Sequence, residues 1–448
     1  MRRSVRAGRR VSAAPTAAVV LVVAVLALGG CRAGHDENPQ TVAPTAVTSH
    51  GRALVTSPTS VVVLPTWLAG RDREGLLALL DVLDEHYGGD VRFVDNSATG
   101  GPWASVRDRE HVSAFPNDVV AVDTELDEGL EENVALGRLR DLSGLASELG
   151  LAQAWPRGVF DQLATDGRLY RMPAVVDRTN LLWSNPAALH AAGLDPHATF
   201  ASVDEWISAM KAVAATGVQP LVLAGRRPHV LLLEDVLLSD LGPAGYRGLW
   251  DGTTGWDDVR VHRALGQFQE LCTTAQVVQD DDWDEWSSAM DQLIDGSAAF
   301  MVLDGQGASY LGEHGRDVGT GIDVQAAPGT ADAFAYVVAS FAWDSASMDE
   351  AGAAAWFEVV SSVDGQSAVA AARGGVPVRT DVDPAPFSDF ARSQMSDWKE
   401  RVPVPSVMVG GPVPRSLGDA LARNAERLAQ GQITPHGFQA RMTDPARR

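Results

Sequence analysis

The stretch Val61-Val62-Val63-Leu64 is a run of apolar, mainly β-branched residues, which is typical of a buried strand. After Gly70 comes an amphipathic stretch, Gly75 to Tyr87, whose leucines recur at helical spacing. A strand followed by a helix begins an α/β unit. The strand pattern recurs at 90–94 and 118–122. The sequence therefore predicts an α/β fold in which helices cover both faces of a mainly parallel sheet.

Two later segments carry helix start signals. Ser202-Val203-Asp204-Glu205 and Ser347-Met348-Asp349-Glu350 both have the residue types of a capping box. In that motif the first and fourth side chains bond to backbone N–H groups that have no partner inside the helix. We therefore expect a helix to follow each box.

The N-terminus has the composition of an export signal. Its five arginines precede an apolar segment, 17–30, that is too short to span a bilayer as a stable helix. Gly29 and Gly30 directly precede Cys31, an arrangement that resembles the lipobox of bacterial lipoproteins. The resemblance implies a lipoprotein signal peptide at 1–30 and an acylated Cys31, whose two acyl chains anchor the protein. A conventional signal peptide cleaved nearby, with Cys31 not involved, is the alternative.

The mature protein is strongly acidic. Loss of residues 1–30 removes five arginines and changes the formal net charge from −22 to −27. This charge argues against nucleic-acid binding and against electrostatic attachment to anionic lipid, since both need clustered lysine and arginine. Cys272 is the only cysteine besides Cys31, so once Cys31 is acylated no intrachain disulfide can form.

A tether and two domains follow from length and composition. Residues 31–57 are rich in Pro, Thr, Ser and Ala and have no apolar period, which predicts a flexible tether. The remaining stretch of about 390 residues is long enough for two domains, each with its own hydrophobic core.

Several short motifs follow one another along the chain. They are Asp177-Arg178-Thr179-Asn180-Leu181-Leu182-Trp183-Ser184-Asn185, Gly217-Val218-Gln219-Pro220-Leu221, Asp295-Gly296-Ser297-Ala298-Ala299-Phe300-Met301, Ala327-Pro328-Gly329-Thr330 and Gly374-Gly375-Val376-Pro377-Val378-Arg379-Thr380-Asp381. In order and spacing they resemble the family 1 extracellular solute-binding proteins of bacterial carbohydrate ABC importers over nearly all of residues 60–430. The chain is most similar to the glucose- and mannose-binding subgroup.

The resemblance implies a two-lobe periplasmic-binding-protein fold of type II, with mixed sheets flanked by helices and a hinge of crossing segments. The expected parts are an N-lobe of 58–176 and 324–352, a C-lobe of 177–323 and 353–435, and a C-terminal tail of 436–448. By analogy, the crossings between the lobes are expected near 175–179, 323–325 and 350–357.

The same resemblance implies how such a protein works. A small solute, a sugar or sugar derivative, binds in the cleft and shifts the protein to a closed form. The closed form docks on the transmembrane subunits of an ABC permease. We expect a lipid-anchored monomer on the outer face of the cell membrane, with no cofactor, metal or nucleic-acid partner.

Eleven residues are candidates for ligand binding by this resemblance. They are Trp67, Asp72, Glu74, Asp123, Asp177, Arg178, Arg226, His229, Asp304, Gln306 and Arg373. Glucose-type members have a tryptophan pair after the first strand, and only Trp67 is present here; it either stacks on a sugar or packs in the N-lobe core. Asp72 and Glu74 compete for one acidic position of the family. Gln306 stands where the family has a stacking tryptophan.

The polar candidates favour two ligand chemistries. Arg226, His229 and Arg373 would suit an acidic or phosphorylated solute, because guanidinium groups prefer carboxylate and phosphate. Asp123 and Asp177 would repel an anion and would take hydroxyl groups or an amine instead. The reduced number of aromatic positions argues against glucose or mannose bound in the family manner.

An enzyme is not expected, because the sequence has no metal-ligand cluster and no Gly-x-Ser-x-Gly nucleophile motif. A glycan-cleaving enzyme would need two carboxylates at a defined separation, for which Asp123 and Asp177 are the available pair. The main alternative is a degenerate solute-binding lipoprotein that acts as a sensor or interaction protein without transport.

Overall fold

The computed structural model describes residues 57–64, 70–95, 118–122, 130–224, 228–278, 286–407 and 415–444, together with Val55 and Trp67. The expected signal peptide, Cys31 and nearly all of the expected tether lie outside the described residues. So do two of the candidate ligand-binding residues, Asp123 and Arg226.

The described part of the chain forms strands and helices in alternation. The strands are β1 (Thr59–Leu64), β2 (Val91–Asp95), β3 (Val119–Val122), β4 (Met172–Arg178), β5 (Leu181–Ser184), β6 (Gln219–Ala224), β7 (Ala275–Val278), β8 (Ala298–Val302), β9 (Asp323–Ala326), β10 (Ala333–Trp343) and β11 (Val402–Pro405). The helices are α1 (Gly70–Tyr87), α2 (Leu130–Ala135), α3 (Ser143–Glu148), α4 (Leu151–Ala154), α5 (Val159–Leu163), α6 (Pro186–Ala191), α7 (Val203–Ala214), α8 (Pro228–Asp251, kinked at Gly242), α9 (Val259–Thr274), α10 (Ser287–Asp295), α11 (Gln306–Glu313), α12 (Glu350–Ser361), α13 (Val363–Arg373), α14 (Asp389–Glu400), α15 (Arg415–Ala429) and α16 (Pro435–Thr443).

The strands form two separate sheets. The first has the order β11-β10-β3-β1-β2, and β4 also pairs with β10. The second has the order β7-β6-β8-β5-β9. Each sheet combines parallel pairs with antiparallel ones, the latter made by β10 in the first sheet and by β5 in the second. The sheets are therefore mixed, as the resemblance implied, and not mainly parallel.

The first sheet is packed against helices through aromatic side chains. α12 lies on β1 and β4, and α13 lies on α1. The ring of Trp343 on β10 stacks on Phe357 of α12 with 5.4 Å between centroids, and Phe341 meets Trp356 edge-on at 5.2 Å. This sheet and its helices form the core of the first lobe.

The second sheet is covered on both faces, because alternate residues of a strand point to opposite sides. Phe300 of β8 packs against Trp206 of α7, with 6.1 Å between ring centroids. The next residue, Met301, belongs to a different buried cluster that contains Trp183. Helices on both sides of the sheet complete the second lobe.

The chain passes from the first sheet to the second and back again in the first two passages. The chain leaves the first sheet at Arg178 and enters the second at Leu181, and it leaves the second at Ala326 and returns to the first at Ala333. The antiparallel strands β5 and β10 are the ones that directly follow these passages.

The third passage differs from the expected one. α12 at 350–361 is buried within the first lobe, and β11 still pairs with β10 of the first sheet. The chain reaches the second lobe only after β11, since Leu421 of α15 lies in the second lobe's core. Most of 353–405, expected in the C-lobe, thus packs on the first sheet, whereas 324–326, expected in the N-lobe, pairs in the second.

The C-terminal segment is helical. α16 begins after the N-cap Thr434, whose hydroxyl accepts a hydrogen bond from Gly437 N, with Pro435 at the first helical position. Phe438 and Met442, four residues apart, are fully buried. Residues 436–443 are thus a packed helix, not a tail.

The two capping boxes have different outcomes. Ser202 caps α7 by accepting a hydrogen bond from Glu205 N, as predicted. Ahead of α12 the N-cap is Asp349, which accepts from Gly352 N at 2.9 Å. The expected cap, Ser347, instead donates to Asp118 at 2.7 Å.

Within the described residues, none of the helices combines the length and the apolar character that crossing a membrane requires.

Gly352 is needed for the close approach of α12 to β1, because a Cβ there would overlap the carbonyl oxygen of Ser60. We expect Gly352→Ala to lower the free energy of unfolding by about 1–3 kcal/mol through overpacking. The matched control is Gly266→Ala on α9, where a Cβ meets no atom within 4 Å. It should stabilise the helix by about 0.5–1 kcal/mol. Calorimetry of both variants measures these changes. A melting temperature of Gly352→Ala equal to or above that of the wild type would contradict the prediction.

Candidate ligand-binding cleft

Arg373 joins three candidates contributed by separate parts of the first lobe. It is the last residue of α13 and is only 3 % exposed. Its Nε lies 2.6 Å from Oδ1 of Asp72, in the first turn of α1, and its Nη1 lies 2.7 Å from Oδ2 of Asp177, on β4. The guanidinium carbon is 5.6 Å from the ring centroid of Trp67. Four of the eleven candidates therefore meet at one point.

Asp304 reaches the same point from the second lobe. It follows β8, and its Oδ1 accepts a hydrogen bond of 3.0 Å from Gln306 N at the start of α11. Burial raises the pKa of Asp304 to about 7, and the nearby charge of Asp177 acts in the same direction, partly opposed by Arg373. We call Trp67, Asp72, Asp177, Asp304 and Arg373 the cleft cluster, because they lie where the two lobes face each other.

The turn after α13 explains how Arg373 and Asp177 come together. Gly375 has φ +92°, and a Cβ on it would lie 2.7 Å from Oδ1 of Asp177. Both the conformation and the space therefore require glycine. Val376 then pairs with Val176 through two backbone hydrogen bonds of 2.7 and 2.9 Å. The chain after Arg373 is thereby fixed alongside β4.

Two buried polar atoms of the cleft cluster have no hydrogen-bond partner among the described residues. Oδ1 of Asp177 is one, in a residue that is 2 % exposed, and Nε1 of Trp67, in a residue that is 0 % exposed, is the other. An unpaired buried polar group costs about 1–3 kcal/mol. One acceptor and one donor are thus available to a bound molecule that can reach them.

Arg71 connects the two lobes across the cleft, although no sequence pattern indicated this role. From α1 it donates through Nη2 to Ser309 O at 2.6 Å on α11 of the other lobe, and its Nε lies 2.9 Å from Oε1 of Glu313. The two lobes thus touch directly through one side chain. Nothing in the sequence marks Arg71, because its partners lie more than 200 positions away.

The sequence left open the choice between Asp72 and Glu74 and the role of Trp67. Asp72 pairs with Arg373, whereas Glu74 is exposed on α1. Residues two apart on a helix lie on different faces, so only one of them can meet Arg373. Trp67 packs in the first lobe's core, 5.3 Å from Phe341 between ring centroids, with Arg373 over its ring.

Arg178 and His229 are not brought to the cleft cluster. Neighbouring strand residues point to opposite faces, so Arg178 faces away from Asp177 and donates to Asp397 at 2.7 Å. His229 on α8 lies against Phe268, with 6.4 Å between ring centroids, and burial lowers its pKa. Gln306 contributes its backbone N–H to Asp304.

The part of the chain that the structure describes does not meet the requirements of a metal-binding site. There, no three or more His, Cys, Asp or Glu side chains converge into a group that could hold a metal ion. Asp72 and Asp177 of the cleft cluster are instead paired with Arg373.

Two lobes with mixed sheets, crossing segments between them and a polar cluster at their junction define a periplasmic-type binding protein. A solved chitin oligosaccharide binding protein has the same fold, with a TM-score of 0.66 at 15 % identity over 86 % of this chain and 97 % of that one. The family model of bacterial extracellular solute-binding proteins matches residues 86–396, and the chain belongs to this family. Members bind solutes and are not enzymes, as the sequence predicted.

Two relatives align over most of their length. One is a probable sugar-binding periplasmic protein of Brucella melitensis, 24 % identical over 354 residues that cover 76 % of this chain and 80 % of that protein. The other is an uncharacterized ABC transporter extracellular-binding protein of Pyrococcus horikoshii, 20 % identical over 358 residues that cover 78 % and 79 %.

The raised pKa of Asp304 predicts a pH-dependent stability. Between its ordinary value of 3.8 and about 7, the folded protein holds a proton that the unfolded chain has lost, so this group makes the protein less stable as pH rises. Asp304→Asn removes the effect. We expect the variant to melt a few degrees above the wild type at pH 8 and at nearly the same temperature near pH 4. The exposed Asp317→Asn is the control; a melting difference for Asp304→Asn that does not change with pH would contradict the prediction.

Proposed function

We propose that this protein is the solute-binding component of a bacterial ABC importer, captures a small carbohydrate or sugar derivative between its lobes and delivers it to the permease. The observation that carries the proposal is the cleft cluster, in which Asp72, Asp177 and Arg373 of one lobe face Asp304 of the other. A ligand held by both groups makes all of its contacts only when the lobes are closed, so binding favours the closed form.

The chemistry of the cleft cluster suits a polyhydroxylated molecule. Sugar hydroxyls can donate to the carboxylates and accept from the guanidinium, and hydrogen bonds to charged groups are stronger than those between neutral groups. Trp67 is buried in the first lobe's core with Arg373 over its ring, so this recognition is mainly polar. The names of the relatives, one of them sugar-binding and one from an ABC transporter, support the same substrate class and the same partner.

The proposal includes attachment to the outer face of the membrane through Cys31. In a bacterial host we expect the wild-type protein in the membrane fraction and Cys31→Ser in the soluble exported fraction, since the variant lacks the acylated thiol. A variant that stays membrane-bound would contradict lipid anchoring without affecting the binding function.

Native mass spectrometry of the purified protein, followed by calorimetry with neutral sugars, sugar acids and sugar phosphates, tests the binding function. A co-purified sugar or a saturable heat of binding supports it. Absence of binding across the panel would favour the alternative of a sensor or interaction protein without transport.

For any sugar that binds, we expect Asp72→Asn to weaken the affinity about 10- to 100-fold. The substitution removes a charge-assisted interaction worth about 1.5–3 kcal/mol and releases Arg373 from one partner. The matched control is Glu74→Gln, an exposed carboxylate two residues along the same helix, which should bind like the wild type. Equal losses in both variants would show that the cleft cluster does not contact the ligand.

A further inference from the structure

The cleft cluster carries more negative charge than its guanidinium balances. Among the described residues it has three carboxylates, of Asp72, Asp177 and Asp304, and one guanidinium, that of Arg373. Arg71 adds no surplus positive charge, because Glu313 pairs with it. The described cleft therefore has two negative charges in excess when all three aspartates are ionised.

One of the two excess charges is that of Asp304, and the other is shared by Asp72 and Asp177, which pair with the same guanidinium. Arg373 makes its ion pairs with Asp72 at 2.6 Å and with Asp177 at 2.7 Å, whereas the hydrogen bond described for Asp304 comes from the neutral Gln306 N–H. Among the described residues the nearby cation is Arg373, which is already paired with two other carboxylates, so an ionised Asp304 is only partly compensated, and burial together with Asp177 raises its pKa. A positive group beside Asp304 would complete the compensation.

The cation that fits is organic. The carboxylates are not part of any group of three or more metal-ligating side chains within the described residues, so the described cleft offers no full ligand set for a compact metal ion. Oδ1 of Asp177, which has no hydrogen-bond partner among the described residues, is a second acceptor. An ammonium group together with hydroxyls on one small ring would complement this set of groups.

We propose that the cleft selects sugars that carry a free, protonated amine, with Asp304 as the carboxylate that receives the ammonium group. This inference rests on the proposed function as a carbohydrate-binding protein and names the class of sugar. The amine supplies the positive charge that the described cleft lacks, whereas a neutral hydroxyl supplies only a hydrogen bond. The N-acetylated form of the same sugar has lost both the charge and the small size of the group.

Matched sets of sugars test the proposal, with affinities measured by calorimetry on the full chain in mild detergent. One set is glucosamine, glucose and N-acetylglucosamine; the other is the β-1,4-linked dimers with the same three groups. At about pH 7 the free amine is largely protonated. We expect the amine form to bind at least 10-fold more tightly than both neutral forms. Equal or tighter binding of the neutral sugars overturns the proposal and leaves the carbohydrate-binding function intact.

Variants assign the preference to Asp304. Asp304→Asn should bind the amine and hydroxyl forms with similar affinity, whereas Glu74→Gln should keep the wild-type preference. A preference that survives in a folded Asp304→Asn protein overturns the assigned role. If Asp304→Asn does not fold, the affinities of the wild-type protein for the amine, hydroxyl and N-acetyl sugars still decide whether the cleft is selective. If no sugar of either set binds, the proposed selectivity is overturned, whereas the proposed function fails only if neutral sugars, sugar acids and sugar phosphates of the wider panel also show no binding.

Discussion

The hydrogen bonds of Asn180 hold the two lobes in register, because they join two separate passages of the chain between the sheets. Its Nδ2 donates to Thr330 Oγ1 at 2.8 Å, and its Oδ1 accepts from Ala335 N at 3.0 Å. Oδ1 also accepts from Nε of Arg178 at 3.0 Å. All of these groups are buried, where an unmade hydrogen bond is costly. The passage from β4 to β5 and the passage from β9 to β10 are therefore fixed side by side.

The cleft cluster depends on this junction. The carbonyl of Arg178 accepts a hydrogen bond of 3.1 Å from Gly305 N, so the residues just before these two, Asp177 and Asp304, are kept close although they belong to different lobes. The side chain of Arg178 points the other way and is used by Asp397. Arg178 thus connects the two halves of the cleft through its backbone carbonyl, while its charged side chain lies outside the cleft.

Sequence reasoning predicted what local patterns control and failed where distant contacts decide. The β1–α1 unit, the cap of α7 and two passages follow from apolar spacing, capping residues and motif resemblance. The missed strand β11 reads Val402-Pro403-Val404-Pro405, and two prolines mark a strand only at the edge of a sheet. The third passage was expected near 350–357 by analogy with the family, whereas the chain stays on the first sheet through β11. That Asp72, Asp177 and Arg373 belong to one site was expected only through the resemblance. Arg373 lies 301 positions from Asp72 and 196 from Asp177 in the chain, so sequence spacing could not predict that they pair.

The buried pair of Arg373 and Asp177 is better understood as preparation for binding than as a source of stability. Burying two charges costs desolvation that their attraction offsets only with good geometry, and apolar replacements of such pairs are often no less stable. A cleft, however, gains affinity when its polar groups are held in place before the ligand arrives, because less freedom is lost on binding. Gly375 fits against Asp177 and Arg373 covers Trp67, so the polar groups of the first lobe are already fixed. In the proposed function the second lobe then adds only Asp304 and the start of α11 to surround the solute, and the proposed preference for amino sugars depends on the charge of Asp304.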